Sequence, residues 1–201
     1  MSQIDAPRPP PLPAGLPVPV DDGAAAQLPG RSVPALRLWS TEGHEVDLAE
    51  LAAGALVLYL FPKMGRPGQP DPPGWDETPG ARGCTNETCA FRDRHQEFSE
   101  LGYSVAGLSA QPREEQEEAS ERLHLSFPLL SDPDRRLAAE LRLPTLDIAG
   151  MRLYKRLTLV ARGGRIVKVF YPVFPPDENA DEVLGWIRSH AGRDEDPVSH
   201  P

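Results

Sequence analysis

The apolar positions fall into short runs with two different periods. Residues 55–61, Ala-Leu-Val-Leu-Tyr-Leu-Phe, are apolar without interruption. A run of that length suits a central strand covered on both faces. Residues 35–39, 103–109 and 126–130 read as further strands, and Gly43 turns into a short one over 43–46. Apolar stretches at 157–160 and 166–170 flank Arg162-Gly163-Gly164-Arg165, and the paired glycines are a two-residue hairpin signal. Helical spacing appears elsewhere. Residues 47–52 form a short helix with Asp47 as its cap. A longer helix starts near Cys84 and stops at Leu101-Gly102, with Phe91, Phe98 and Leu101 on one face. Residues 112–123 make an acidic helix whose Glu114, Glu115, Glu117 and Glu118 form a solvated face. Asp132-Pro133-Asp134 caps a helix through 141, and 177–190 is the last one. Strands alternating with helices, closed by a hairpin, predict an α/β layer with a mixed sheet.

Residues 1–34 break this pattern. Prolines at 7, 9, 10, 11, 13, 17 and 19 punctuate a stretch without core periodicity. It reads as a disordered or polyproline-like tail ahead of a single domain over 35–191, with 192–201 a polar C-terminal tail. A loop over 65–83 carries five more prolines and is long for a strand-to-helix link, which points to function or mobility; Trp75 in its middle is placed to pack it down.

Composition narrows the functional classes. The 201 residues suffice for one domain with a sizeable core. The net charge of −9, with no basic patch, argues against nucleic acid as a partner. The longest apolar run, about eight residues, is too short to span a bilayer, and no basic-then-apolar signal pattern opens the chain. Two cysteines do not make a secreted disulfide scaffold. The expected compartment is the cytoplasm, with thiols reduced at rest.

Both cysteines lie in Gly83-Cys84-Thr85-Asn86-Glu87-Thr88-Cys89-Ala90-Phe91-Arg92-Asp93. Cys84 falls in the first turn of the predicted helix, where unpaired N–H groups and the positive dipole end favour a thiolate. Cys89 sits five residues on, about 7.5 Å along the axis and about 140° around it. A disulfide needs Cα atoms about 4.4–6.8 Å apart, so the pair bridges only if that turn unwinds. The spacing is not Cys-x-x-Cys. Three readings of Cys84 stand side by side. A structural thiol wants an apolar setting, yet its neighbours are Arg82, Gly83, Thr85 and Asn86. A metal ligand wants partners, and none of the five histidines clusters with it. A redox nucleophile has the helix N-terminus.

The stretch from Gly83 to Asp93 resembles the peroxiredoxins, and within them the Q-type or bacterioferritin-comigratory group. Leu58-Tyr59-Leu60-Phe61-Pro62-Lys63, Phe127-Pro128-Leu129-Leu130-Ser131-Asp132-Pro133-Asp134 and Arg156-Leu157-Thr158-Leu159-Val160 fit the same group in the same order, over about residues 36–187. The resemblance implies a thioredoxin-like fold and a thiol-dependent peroxidase acting on hydrogen peroxide, organic hydroperoxides or both. It implies that Cys84 becomes a sulfenic acid, that Cys89 condenses with it into an intramolecular disulfide, and that thioredoxin or a similar dithiol reduces that bond, without cofactor or metal. It makes Arg156 the arginine that helps polarise the peroxide. The family's Pro-x-x-x-Thr-x-x-Cys pattern is met by Pro62, but Ala81 stands three residues before Cys84. Thr78, in Thr78-Pro79-Gly80, is the candidate for the threonine's role. The group contains monomers and dimers. The displaced threonine and the proline-rich tail favour an alternative, a non-enzymatic redox sensor or interaction module on the same scaffold.

Overall fold

A computed structural model describes residues 7–190. Residues 1–6 of the expected N-terminal tail, and 191–201 with the expected C-terminal tail, lie outside the described residues. The strands are β1 (Arg37–Ser40), β2 (Glu45–Asp47), β3 (Ala55–Leu60), β4 (Tyr103–Ser109), β5 (Leu129–Ser131), β6 (Thr145–Ile148), β7 (Met151–Tyr154), β8 (Leu157–Arg162) and β9 (Arg165–Phe170). The helices are α1 (Leu48–Leu51), α2 (Cys84–Glu100), α3 (Arg113–Leu123), α4 (Arg136–Leu141) and α5 (Asn179–His190).

Seven strands form one sheet in the order β2-β1-β5-β4-β3-β8-β9. β3, β4 and β5 run parallel, while β1, β2, β8 and β9 join antiparallel. The continuous apolar run of β3 is explained by its central place. Val57 and Tyr59 face one core with Phe91 and Phe98 of α2 and Leu184 and Ile187 of α5. Leu56, Leu58 and Leu60 face the other, with Leu137 and Leu141 of α4. Side chains alternate across a strand, so both faces must be apolar when both are covered. The β8–β9 hairpin turns on Gly163 and Gly164, both at positive φ, as a tight primed turn requires.

One glycine sets how α2 meets the sheet. A Cβ on Gly107 of β4 would lie 2.6 Å from the Tyr59 ring and 2.6 Å from Leu129. With that space open, the Tyr59 ring stacks on Phe91 at 4.4 Å and its hydroxyl donates to Thr88 Oγ1 of α2.

The structure differs from the sequence reading in three places. Residues 7–34 lie against the domain instead of standing off it. Leu28 is fully buried, Gly30 and Val33 donate backbone hydrogen bonds to Ile166 and Gly164 carbonyls, and Asp22 pairs with Lys155. A hairpin, β6–β7, fills what pattern left blank between 141 and 157; its turn places Ala149 and Gly150 at positive φ. Ile148 and Leu153 of this hairpin pack with Trp75 and Ala81, which pins the 65–83 loop. On the acidic face of α3 Glu114 is exposed as expected, while the part-exposed Glu115, Glu117 and Glu118 pair with Lys63, Arg113 and Arg122.

Gly107→Ala drives a methyl group into Tyr59 and Leu129. Overpacking of this kind costs about 1–3 kcal/mol. The expected outcome is a lower urea midpoint at unchanged slope.

Candidate active site around Cys84

Gly83 is the N-cap of α2 at φ +102°, a left-handed conformation that side chains resist. A Cβ there would also fall 2.4 Å from Pro176 Cγ. Glycine therefore lets the loop turn sharply and puts Cys84 on the first residue of the helix. Cys84 is 3% exposed. Its thiol donates to the Ala81 carbonyl at 3.5 Å and accepts from Arg156 Nη2 at 3.1 Å.

Arg156 stands just before β8, buried at 3% exposure. Its Nη2 also reaches the carbonyls of Gly80, Ala81 and Arg82 at 3.2–3.3 Å, so one guanidinium gathers the loop ahead of the thiol. Its Nη1 pairs with Glu87 Oε2. The other Glu87 oxygen accepts from Asn179 Nδ2 at 2.8 Å, and Asn179 also donates to Thr158 Oγ1 at 2.6 Å. Arg156 Nε is buried without a hydrogen-bond partner among the described residues.

Burial pushes the Cys84 thiol up from its ordinary pKa. The Arg156 charge and its hydrogen bond pull the other way, while the Glu87 carboxylate adds to the rise. Burial likewise raises Glu87, against the pull of Arg156 and the Asn179 hydrogen bond. For Arg156, burial works against the charge, but the Cys84 and Glu87 anions outweigh it and hold the guanidinium charged. Cys89 is raised by burial, with nearby Arg92 opposing.

Sequence reasoning and geometry converge on Cys84 and Arg156, which meet across 72 residues. Cys89 lies in α2, buried and a free thiol like Cys84. The helix is intact across both, so they do not bridge in this state. Thr78 is not brought to the thiol. Its hydroxyl donates to the Gly74 carbonyl at 2.7 Å, a bond within its own loop. It instead lines a second cavity of about 320 Å³ with Val18, Pro19, Tyr171 and Arg156. Glu87 and Asn179 escaped the sequence reading. Glu87 had a local signal, since i and i+3 share a helix face with Cys84; Asn179 had none. Among the described residues no group of three or more His, Cys, Asp or Glu side chains is placed to hold a metal ion.

Cys84 opens onto a cleft of about 500 Å³ walled by Lys63, Arg66, Thr85 and Arg122 and, opposite, by Pro10 and Leu12 of the N-terminal segment. No helix among the described residues is long and apolar enough to cross a membrane.

Comparison with known proteins agrees with this geometry. The Redoxin family model matches residues 28–184. Chloroplastic peroxiredoxin Q of Sedum lineare is 29% identical over 160 residues, covering 80% of this chain and 77% of that one. The Suaeda salsa protein of the same name is 28% identical, covering 80% and 67%. Among solved structures, peroxidoxin BcpB from Mycobacterium tuberculosis superposes with a TM-score of 0.66 at 28% identity, over 81% of this chain and 97% of that one. A bacterioferritin comigratory protein from Xanthomonas campestris, described for its alkyl peroxide reduction activity, gives 0.62 at 22% identity, over 86% and 97%. At that identity the likeness speaks for the fold alone.

Glu87→Gln separates the two roles of this carboxylate. Removing a buried partner leaves Arg156 uncompensated, so stability falls by about 3–5 kcal/mol in urea unfolding. Removing the anion also favours another anion beside it. In a Cys89→Ser background, the pH midpoint of Cys84 alkylation by iodoacetamide therefore moves down, not up.

Proposed function

The chain belongs to the redoxin family as a peroxiredoxin of the Q type, a thiol-dependent peroxidase, and on that premise we propose that Cys84 is its peroxidatic thiol, Cys89 its resolving thiol and Arg156 the cation that serves the first step. One observation carries the assignment: Arg156 Nη2 stands 3.1 Å from Cys84 Sγ, both buried, at the first turn of a helix.

The first step needs a thiolate and a stabilised leaving oxygen. Arg156 and the N–H groups of the first turn favour the anion against the burial that opposes it. The thiolate attacks one peroxide oxygen, the O–O bond breaks, and the alkoxide or hydroxide leaves with a proton as alcohol or water. Sulfur becomes a sulfenic acid. Arg156 Nη2, 3.1 Å from the sulfur, is the donor closest to the oxygen that gathers charge there. Cys89 then displaces the sulfenic oxygen as water, forming the disulfide. A thioredoxin-like dithiol reduces it by exchange, with electrons passing sulfur to sulfur.

The cleft accommodates hydrogen peroxide and has room for an organic hydroperoxide against its proline wall. We include both as substrates. Thr78 is held to Gly74 and enters the proposal as a loop residue; the donors at Cys84 are Arg156 and backbone N–H groups. The cytoplasm, a reducing compartment, suits the two-thiol cycle; the curated relatives are chloroplastic.

Single-turnover oxidation followed by tryptophan fluorescence, with mass spectrometry of the product, tests the assignment. Cys84→Ser abolishes peroxide consumption. Cys89→Ser allows one oxidation and blocks recycling by thioredoxin. Arg156→Met slows the first oxidation by about a hundredfold or more, the usual effect of removing a preorganised charged donor. Thr78→Val leaves turnover unchanged. A Cys84→Ser protein that still consumes peroxide catalytically sinks the proposal.

A further inference from the structure

The N-terminal residues 7–13 are a strap laid across the part of α2 that holds both cysteines. Five of the seven are prolines. An extended proline segment has no internal hydrogen bonds, so its carbonyls are available as acceptors. Two of them are taken by α2. Asn86 Nδ2 donates to the Pro10 carbonyl at 2.8 Å, and Arg92 Nη1 donates to the Pro7 carbonyl at 3.1 Å. Asn86 lies between Cys84 and Cys89, and Arg92 follows Cys89 by less than one turn. Past the Pro10 tether Leu12 closes on the N-cap, its Cδ2 3.1 Å from where a Gly83 Cβ would stand. Farther along, Pro19 rests on Gly80, and Asp22 is fixed by Lys155 and the Tyr171 hydroxyl. The strap is thus fastened beyond the cleft as well as over it.

We propose that this strap is a clamp on the resolving step: it holds the first turns of α2 wound, and it must lift before Cys89 reaches an oxidised Cys84. The proposal rests on the assignment of Cys84 and Cys89 as the redox pair. An intact helix keeps the two sulfurs from bonding, so the disulfide forms only from an unwound state. Every contact made only by the wound state lowers the population of the unwound one. The Asn86 tether and the Leu12 contact are such contacts, and the Arg92 tether anchors the strap beside them.

The clamp also sets a choice of product. The Cys84 sulfenic acid has two fates. With Cys89, its S–O bond breaks, an S–S bond forms and water leaves. With a second peroxide, the peroxide O–O bond breaks, sulfur gains an oxygen as sulfinic acid and an alcohol or water is released. A slow first route leaves time for the second. The strap therefore biases the oxidised enzyme toward sulfinic acid when peroxide is abundant.

The test uses the full-length chain with one substitution on the helix and one on the strap; because Leu12 also walls the cleft, the rate of Cys84 oxidation is timed in the same experiment. Asn86→Ala removes the Pro10 tether, and Leu12→Gly empties the contact at Gly83. Reduced protein is mixed with hydrogen peroxide; disulfide formation is timed by quenched-flow mass spectrometry, and sulfinic acid is measured against peroxide concentration. In Asn86→Ala, disulfide formation is expected to rise about fivefold, the factor that one lost hydrogen bond of about 1 kcal/mol converts to. The peroxide needed to convert half of Cys84 to sulfinic acid rises by the same factor, and Leu12→Gly moves both readouts the same way. Unchanged disulfide rates in both variants, with Cys84 still oxidised normally, overturn the clamp and leave the peroxidase assignment standing. Failure of wild-type Cys84 to oxidise at all overturns both.

Discussion

The buried guanidinium of Arg156 is the constraint on which the rest of the site depends. A cation at this depth is costly unless its charge and its donors are met. Glu87 meets the charge, three loop carbonyls take one amino group, and the same amino group reaches the Cys84 sulfur. These partners come from α2, the loop ahead of it and the approach to β8, so satisfying one side chain fixes the relative placement of three elements. Asn179 adds a fourth, the start of α5, by holding the far oxygen of Glu87. A lysine offers a point charge and three donors, whereas this arrangement uses a planar fork with its donors pointing in different directions. The site is built by an electrostatic obligation that the thiol shares.

That shared obligation explains how the first step and the second are linked. In the reduced enzyme Arg156 faces two acidic groups, the Cys84 sulfur and the Glu87 carboxyl. On the proposed assignment, oxidation to sulfenic acid removes a thiolate from beside the guanidinium and weakens the attraction holding Cys84 there. Glu87 lies between Cys84 and Cys89, within the segment that must unwind. The aromatic stack of Tyr59, Phe91 and Phe98 lies farther along and keeps the remainder of α2 on the sheet.

Much of the scaffold was legible because it follows from periodicity. The unbroken apolar run of β3 signalled a strand covered on both faces, and Gly163-Gly164 signalled a primed hairpin. Asp47 accepts from the Ala49 N–H, as a cap should. Cys84 carried a local signal, its place at a helix N-terminus, as well as motif context, whereas Arg156 was singled out by motif context alone; the structure brings the two side chains together. The β6–β7 hairpin was not legible, since Ala149 occupies a positive-φ position that glycine or asparagine usually announces, and its strand residues are half exposed. Glu87 and Asn179 carry no mark of their pairing, which spans 92 residues. The proline-rich segment was misleading for a chemical reason. Prolines bring no N–H groups and little core periodicity, which reads as a solvated tail, yet their carbonyls accept from side chains as well as any others.

The lengthened loop before Cys84 raises the question of how a site survives a change in spacing. Loop closure costs grow only slowly with length, so extra residues are cheap if the ends stay in register. Here the end that matters is set by local geometry. Gly83 turns the chain against Pro176, and Arg156 collects the carbonyls of residues 80–82 whatever precedes them. Upstream, Trp75 is sunk between the loop and the β6–β7 hairpin, and Arg82 pairs with both Asp71 and Asp76. The insertion is thus folded on itself and fastened to the domain, while the carbonyls of residues 80–82 answer to the guanidinium. A threonine at a fixed distance before the cysteine is one way to supply a donor to that pocket. On the proposed assignment, the Arg156 amino group at the Cys84 sulfur is another, and it does not depend on the length of the loop.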